Sequence, residues 1–150
     1  MCWLSHIYPV KKIAKHDIVV IKLCKMIRNK LVSTVFNFEY EYDTVYSTDD
    51  KLKVLIEYEY VDDIALRYKK EKSIISIPQY IINEGFHSYN YKFIKTLLDD
   101  TPMFCCIIPK GSVYYEDDKG EYVSDHIIIK CPFTLLNYLK MKLYYTLKIW

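Results

Sequence analysis

At 150 residues, with 51% hydrophobic and 27% charged residues, the chain has the make-up of one folded domain and not of a disordered segment. Its 21 basic and 19 acidic residues are interleaved and leave a net charge of +2, which argues against nucleic acid as a partner, because phosphate contacts call for a concentrated basic face. With 3 glycines, and neither G-x-G-x-x-G nor G-x-x-x-x-G-K-[ST], the chain lacks the phosphate loops of dinucleotide and nucleoside-triphosphate folds.

Residues 1–16 mix apolar and basic groups around Pro9 and read as an irregular leader packed on the domain. The β-branched run Ile18-Val19-Val20-Ile21 with Leu23 predicts a buried strand, and Asn29-Lys30 a turn. From Thr34 to Tyr42, Phe36, Phe38, Tyr40 and Tyr42 alternate with polar residues, the mark of a half-buried strand with one aromatic face. The polar cluster Ser47-Thr48-Asp49-Asp50 separates it from a second alternating segment, Leu52–Tyr60, and the two are expected to pair as a hairpin. Val61–Glu71 suits a short helix, and Ser73–Ile77 a short strand ended by Pro78.

Asn90–Asp100 has helical spacing through Phe93, Ile94, Leu97 and Leu98, and stops before Pro102. Met103–Ile108 reads as a continuous apolar strand. Val113–Tyr115 and Glu121–Ile129 flank the polar loop Glu116-Asp117-Asp118-Lys119-Gly120, a hairpin signal. In the tail, Leu135, Leu136, Leu139, Leu143 and Leu147 fall at helical spacing, while Leu139, Met141, Leu143, Tyr145 and Leu147 also alternate. Good helix formers and Thr134 as a cap favour a helix packed on the domain. Lys140, Lys142 and Lys148 interrupt it too often for a transmembrane span, and a helix lying in a membrane interface is the alternative. The expected fold is therefore α+β, a mostly antiparallel sheet with one or two packed helices in a β-rich domain over 1–132. A C-terminal helical extension follows over 133–150.

Five cysteines (Cys2, Cys24, Cys105, Cys106 and Cys131) form no C-x-x-C pair. With no secretory leader at the N-terminus they read as reduced thiols of a cytosolic protein. Adjacent Cys105 and Cys106 point to opposite faces of a strand, so no metal site is expected. Removal of Met1 would expose Cys2 as an N-terminal nucleophile, although Trp3 and Leu4 after it favour simple packing. His126 lies on an apolar strand, where an outward orientation or a backbone partner is expected.

All 3 glycines fall in the motifs that carry most of the remaining chemistry: Gly85-Phe86-His87-Ser88-Tyr89, Ile108-Pro109-Lys110-Gly111-Ser112-Val113-Tyr114-Tyr115, and Gly120-Glu121-Tyr122-Val123-Ser124-Asp125. In a glycine-poor chain this predicts backbone positions that other residues do not tolerate. Phe86, His87, Ser88, Tyr89, Lys110, Ser112 and Tyr114 are the binding candidates. His87, Tyr114, Tyr115 and Glu121 are the catalytic ones, with Cys2.

In this order of motifs, after a Met-Cys start and an aromatic-acidic segment at Phe38-Glu39-Tyr40-Glu41-Tyr42, residues 1–130 resemble a family of short uncharacterised proteins of gut bacteria and their tailed phages. That resemblance implies a phage or prophage setting and supplies no mechanism. The expected role is a non-enzymatic accessory protein binding a protein or small-molecule ligand of the host, with the virion or a membrane surface as the alternative through the tail. A second, weaker likeness is to mono-ADP-ribosyltransferases. Gly85–Tyr89 resembles their hydroxyl-rich strand, Ile108-Pro109-Lys110-Gly111 their turn, and Glu121 their late acid. It implies NAD as the cofactor of an alternative, enzymatic reading, with Glu121 stabilising charge that develops at the sugar. The chain has no Ser-Thr-Ser triplet, and no Glu-x-Glu occurs at Glu121.

Overall fold

A computed structural model describes residues 3–5, 7–34, 38–48, 52–62, 74–82, 84–95 and 100–147. Half-buried alternation and long β-branched runs dominate the sequence, and strands dominate the fold. The first eight are β1 (Trp3–Ser5), β2 (Lys12–Ile13), β3 (Ile18–Ile27), β4 (Lys30–Ser33), β5 (Glu39–Tyr40), β6 (Val45–Ser47), β7 (Leu55–Asp62) and β8 (Ile74–Ile82). After β9 (Phe86–Tyr89) comes a single turn of helix, α1 (Tyr91–Ile94). Then follow β10 (Met103–Ile108), β11 (Val113–Glu116), β12 (Glu121–Ser124), β13 (His126–Pro132) and the helix α2 (Leu135–Leu147).

Every strand pair is antiparallel, and the chain is α+β as expected. Among the described residues a 10-stranded sheet runs β2-β11-β12-β9-β3-β10-β13-β6, with β4 beside β3 and β5 beside β4. A 3-stranded sheet runs β1-β8-β7. The large sheet curls. Its strands β5, β4, β3, β10, β13 and β6 follow one another by hydrogen bonding, and the path closes where the Tyr40 ring meets the Tyr46 ring edge-on at 5.2 Å. The turn between β5 and β6 is tied to β13 by Asp43 N–H donating to Ile129 O (2.9 Å) and by the Lys130–Asp43 ion pair (2.6 Å).

Strand alternation sorts the core into two main clusters. Val20, Cys24, Phe86, Phe104, Cys106, Tyr122, Ile127 and Ile129 fill the concave side with Leu31 and Tyr40. Val19, Ile21, Leu23, Tyr89, Ile94 and Cys105 form the other side, where Tyr138 of α2 joins them and Met141 and Tyr145 pack alongside. Cys105 and Cys106 do point to opposite faces. Thr134 caps α2 as expected, its Oγ1 accepting from Asn137 N–H at 3.0 Å.

Several local expectations are corrected. The leader holds two short strands, β1 and β2, because each finds an edge to complete (β8 and β11). The first turn sits one residue earlier, at Arg28-Asn29, both at positive φ (51° and 62°), the two-residue turn whose twist matches its strands. Among the described residues the expected pairing of 34–42 with 52–60 does not occur; residues 35–37 lie outside them, β4 pairs with β3, and β7 pairs with β8 from Leu55↔Ile81 to Asp62↔Ile74. Pro78 does not end its strand. It lies opposite Tyr58 and, among the described residues, beyond the reach of β1, which pairs with Tyr80–Ile82, so one side there is an edge, the place in a sheet where proline is tolerated. The strand expected over Glu121–Ile129 breaks at Asp125, where the chain leaves β11 and β9 to join β10. The helix expected over 61–71 falls mostly outside the described residues, as does the end of the one expected over 90–100.

Candidate functional site

The glycine-bearing motifs converge on the β11–β12 hairpin and its neighbour β9. Asp117 builds the hairpin tip: its Oδ1 accepts from the N–H groups of Lys119, Gly120 and Glu121 at 3.0, 2.9 and 2.9 Å. Gly120 sits at φ 98°, and a Cβ there would strike the side-chain amide of Asn90. That asparagine caps α1 through Phe93 N–H (2.9 Å), and its own N–H donates to Gly120 O (2.8 Å). Glycine is therefore required because the hairpin tip rests on the helix cap.

Register then decides which candidates meet. Glu121 lies opposite Tyr89, and Val123 lies opposite both His87 and Tyr115. Alternation puts His87, Tyr89, Glu121, Val123 and Tyr115 on one face of three adjacent strands. Tyr114 falls on the other face, against the cluster that contains Phe86 and Tyr122. Burial holds the half-buried Glu121 carboxyl up at about 7, with the Asp117 charge adding to the rise and Lys119 opposing it. Burial, and then Glu121, raise the Tyr89 hydroxyl. A carboxyl poised near neutrality can give or take a proton. Its surroundings are packed, however: Val123 and Tyr115 are buried under Ile82 of the small sheet, with Leu52 and Val54 beside them.

The binding candidates do not form one surface. Phe86, Ser88, Tyr89 and Ser112 are buried, His87 and Tyr114 half-buried, and only Lys110 is exposed. Ser112 Oγ donates to Pro109 O (2.6 Å), and Lys110 N–H donates to Asp17 Oδ1 (2.8 Å); both bonds shape the turn. Cys2 lies outside the described residues. His126 turns a partly exposed side chain outward, as expected, and its Nδ1 lies 2.6 Å from Asp125 Oδ1, which also accepts from Val113 N–H. Ser124 Oγ donates to His126 O, so these three residues make no nucleophile–base pair. Among the described residues no three His, Cys, Asp or Glu side chains sit where they could hold a metal ion.

Two features escaped the sequence reading. Lys22, inside the apolar run of β3, is buried; its Nζ donates to His87 O (2.9 Å) and lies 5.8 Å from the Tyr40 ring centroid. Burial lowers its pKa, against the opposing effect of Cys24 and Cys106. The other is on α2. The face that packs carries Tyr138, Met141 and Tyr145, whereas Leu135, Leu136, Leu139, Leu143 and Leu147 point outward, from 49% exposed at Leu135 to 63% at Leu143. The leucine spacing that predicted the helix had marked its outer face. Among the described residues no helix is long and apolar enough to cross a membrane.

No family model matches the chain, and no curated protein or solved structure matches it either.

Proposed function

We propose that this chain is a non-enzymatic binding protein, an accessory protein of a phage or prophage acting in the bacterial host cell, which engages a host partner through the outer face of α2. The observation that supports this reading is the row of exposed leucines on that helix. Soluble proteins seldom leave so many large aliphatic side chains together unless something covers them. The motif residues that drew attention in sequence are largely interior and serve the fold. Hydrogen exchange of the α2 amides, measured with and without soluble and membrane fractions of host cells, tests it. Slower exchange over 135–147 with one fraction is expected; unchanged exchange with every fraction would sink the reading.

A second reading, an enzyme of the ADP-ribosyltransferase kind using NAD, has one supporting observation. Glu121 is held near neutrality on the same face as His87, Tyr89 and Tyr115. Release of nicotinamide from NAD, lost in Glu121→Ala, is its signature. No release by the intact chain removes it.

A further inference from the structure

On a helical projection of 100° per residue, Leu135, Leu136, Leu139, Leu143 and Leu147 span an arc of about 120°, and Lys140 and Lys142 fall just outside its two borders. Tyr138, Met141 and Tyr145 occupy the opposite side, against the sheet. No acidic residue occurs anywhere from His126 to Trp150, and Lys142 and Lys140 are both exposed. The helix is about 20 Å long, too short to span a bilayer and long enough to lie along its surface.

Deepening the binding-protein reading above, on which it rests, we infer that the outer face of α2 docks on an anionic lipid bilayer. The leucines enter the boundary between headgroups and acyl chains, and Lys140 and Lys142 reach the lipid phosphates from either side. The geometry favours a bilayer over a second copy of the chain. Two such helices face to face would bring four lysines together with no helical carboxylate to meet them. It also favours a bilayer over a grooved protein, because the leucine arc is convex and wide, with exposed Thr146 among the leucines at its C-terminal end, and a fluid surface accepts that shape without a matching cleft. Lysines that flank an apolar stripe keep their heads in the headgroup layer while their stems lie along it. Exposed Tyr144 stands one residue beyond Leu143, on the polar side, where an aromatic ring with a hydroxyl suits an interface.

Flotation of the full chain with phosphatidylcholine vesicles, with and without about one-third phosphatidylglycerol, tests the inference. The chain is expected to float with the anionic vesicles at least roughly tenfold better than with the neutral ones, and less well as salt rises. Lys140→Glu with Lys142→Glu should lower binding roughly 25-fold or more, from about fivefold per lysine. Leu139→Ser with Leu143→Ser should abolish flotation while leaving the thermal midpoint of the free chain nearly unchanged. No flotation on anionic vesicles, equal flotation on neutral ones, or a dimer that the leucine variant splits would each overturn it. If vesicles fail but a soluble fraction still slows exchange over 135–147, the lipid assignment falls and the binding reading stands. If neither slows it, both fall.

Discussion

The β9–β12 region and the C-terminal helix invert the usual expectation of which side chains face water. Around β9, β11 and β12 the residues with functional groups turn inward: Ser88, Ser112, Ser124 and Tyr89 are buried, and Glu121 is half so. On α2 the aliphatic residues turn outward, and two tyrosines, Tyr138 and Tyr145, with Met141 face the sheet. The difference teaches that residue type alone misplaces function in this chain. Tyrosine is so abundant, at 16 residues, that it serves as a core residue, leaving leucine free for another use. A buried tyrosine adds apolar area and still finds a partner for its hydroxyl, so it can replace leucine in the core. An exposed leucine has no comparable role in a fold.

The largest test of that inversion is a pair of substitutions one residue apart. Tyr138→Ala removes a ring that stacks near Tyr91 at 5.5 Å and fills the cluster under α2. It should cost about 3–5 kcal/mol in urea denaturation. Leu139→Ala, on the outer face, should change stability by no more than about 0.5 kcal/mol. Equal losses at both positions would mean that the leucine face is covered in the free chain, and that the helix has been read inside out.

Much of the fold was legible because it depends on local pattern. The β3 and β10 runs are mostly apolar, with β-branched stretches at Ile18–Ile21 and Ile107-Ile108 that suit buried strands, and the polar loop Glu116–Gly120 signals a hairpin tip. Pairing was not legible. The alternation of 34–42 and 52–60 is a property of each segment, and nothing in it says which neighbour supplies the other edge; β8 outcompetes 34–42 because it runs in register with β7 over its whole length. The site was less legible still. Spacing predicted a helix over the tail 133–150 and could not say which of two apolar faces would meet the sheet. Lys22 was invisible for a related reason: in a strand, one polar residue amid apolar ones reads as an outward break in the pattern, and here the curl of β4 and β5 encloses it.

A test of middle size concerns the hairpin tip. Gly120→Ala adds a Cβ at positive φ against the Asn90 side chain, so it should cost about 2–3 kcal/mol, part backbone strain and part lost helix cap. In an Asn90→Ala background the same substitution should cost less, because the obstructing amide is gone and the cap already lost. Additive losses would show that the tip does not rest on α1, and would detach the motif region from the helix it appends to β9.

The smallest effect is the one closest to chemistry. In the folded chain Glu121 holds its proton up to about pH 7, whereas the unfolded chain releases it near the ordinary value of 4.5. Between those values the folded state binds more protons, so this group's contribution to stability falls as pH rises from about 4.5 to about 7 and stays low above that. Glu121→Gln keeps the shape and removes the charge. The variant should therefore gain on the wild type progressively through that window and hold the gain at pH 8, by a modest amount, since the carboxyl is only half-buried. If the difference between the two proteins is flat from pH 4 to 8, the carboxyl is solvated like any surface acid. The β9–β12 face would then keep its structural role and lose the one observation that lends it a catalytic one.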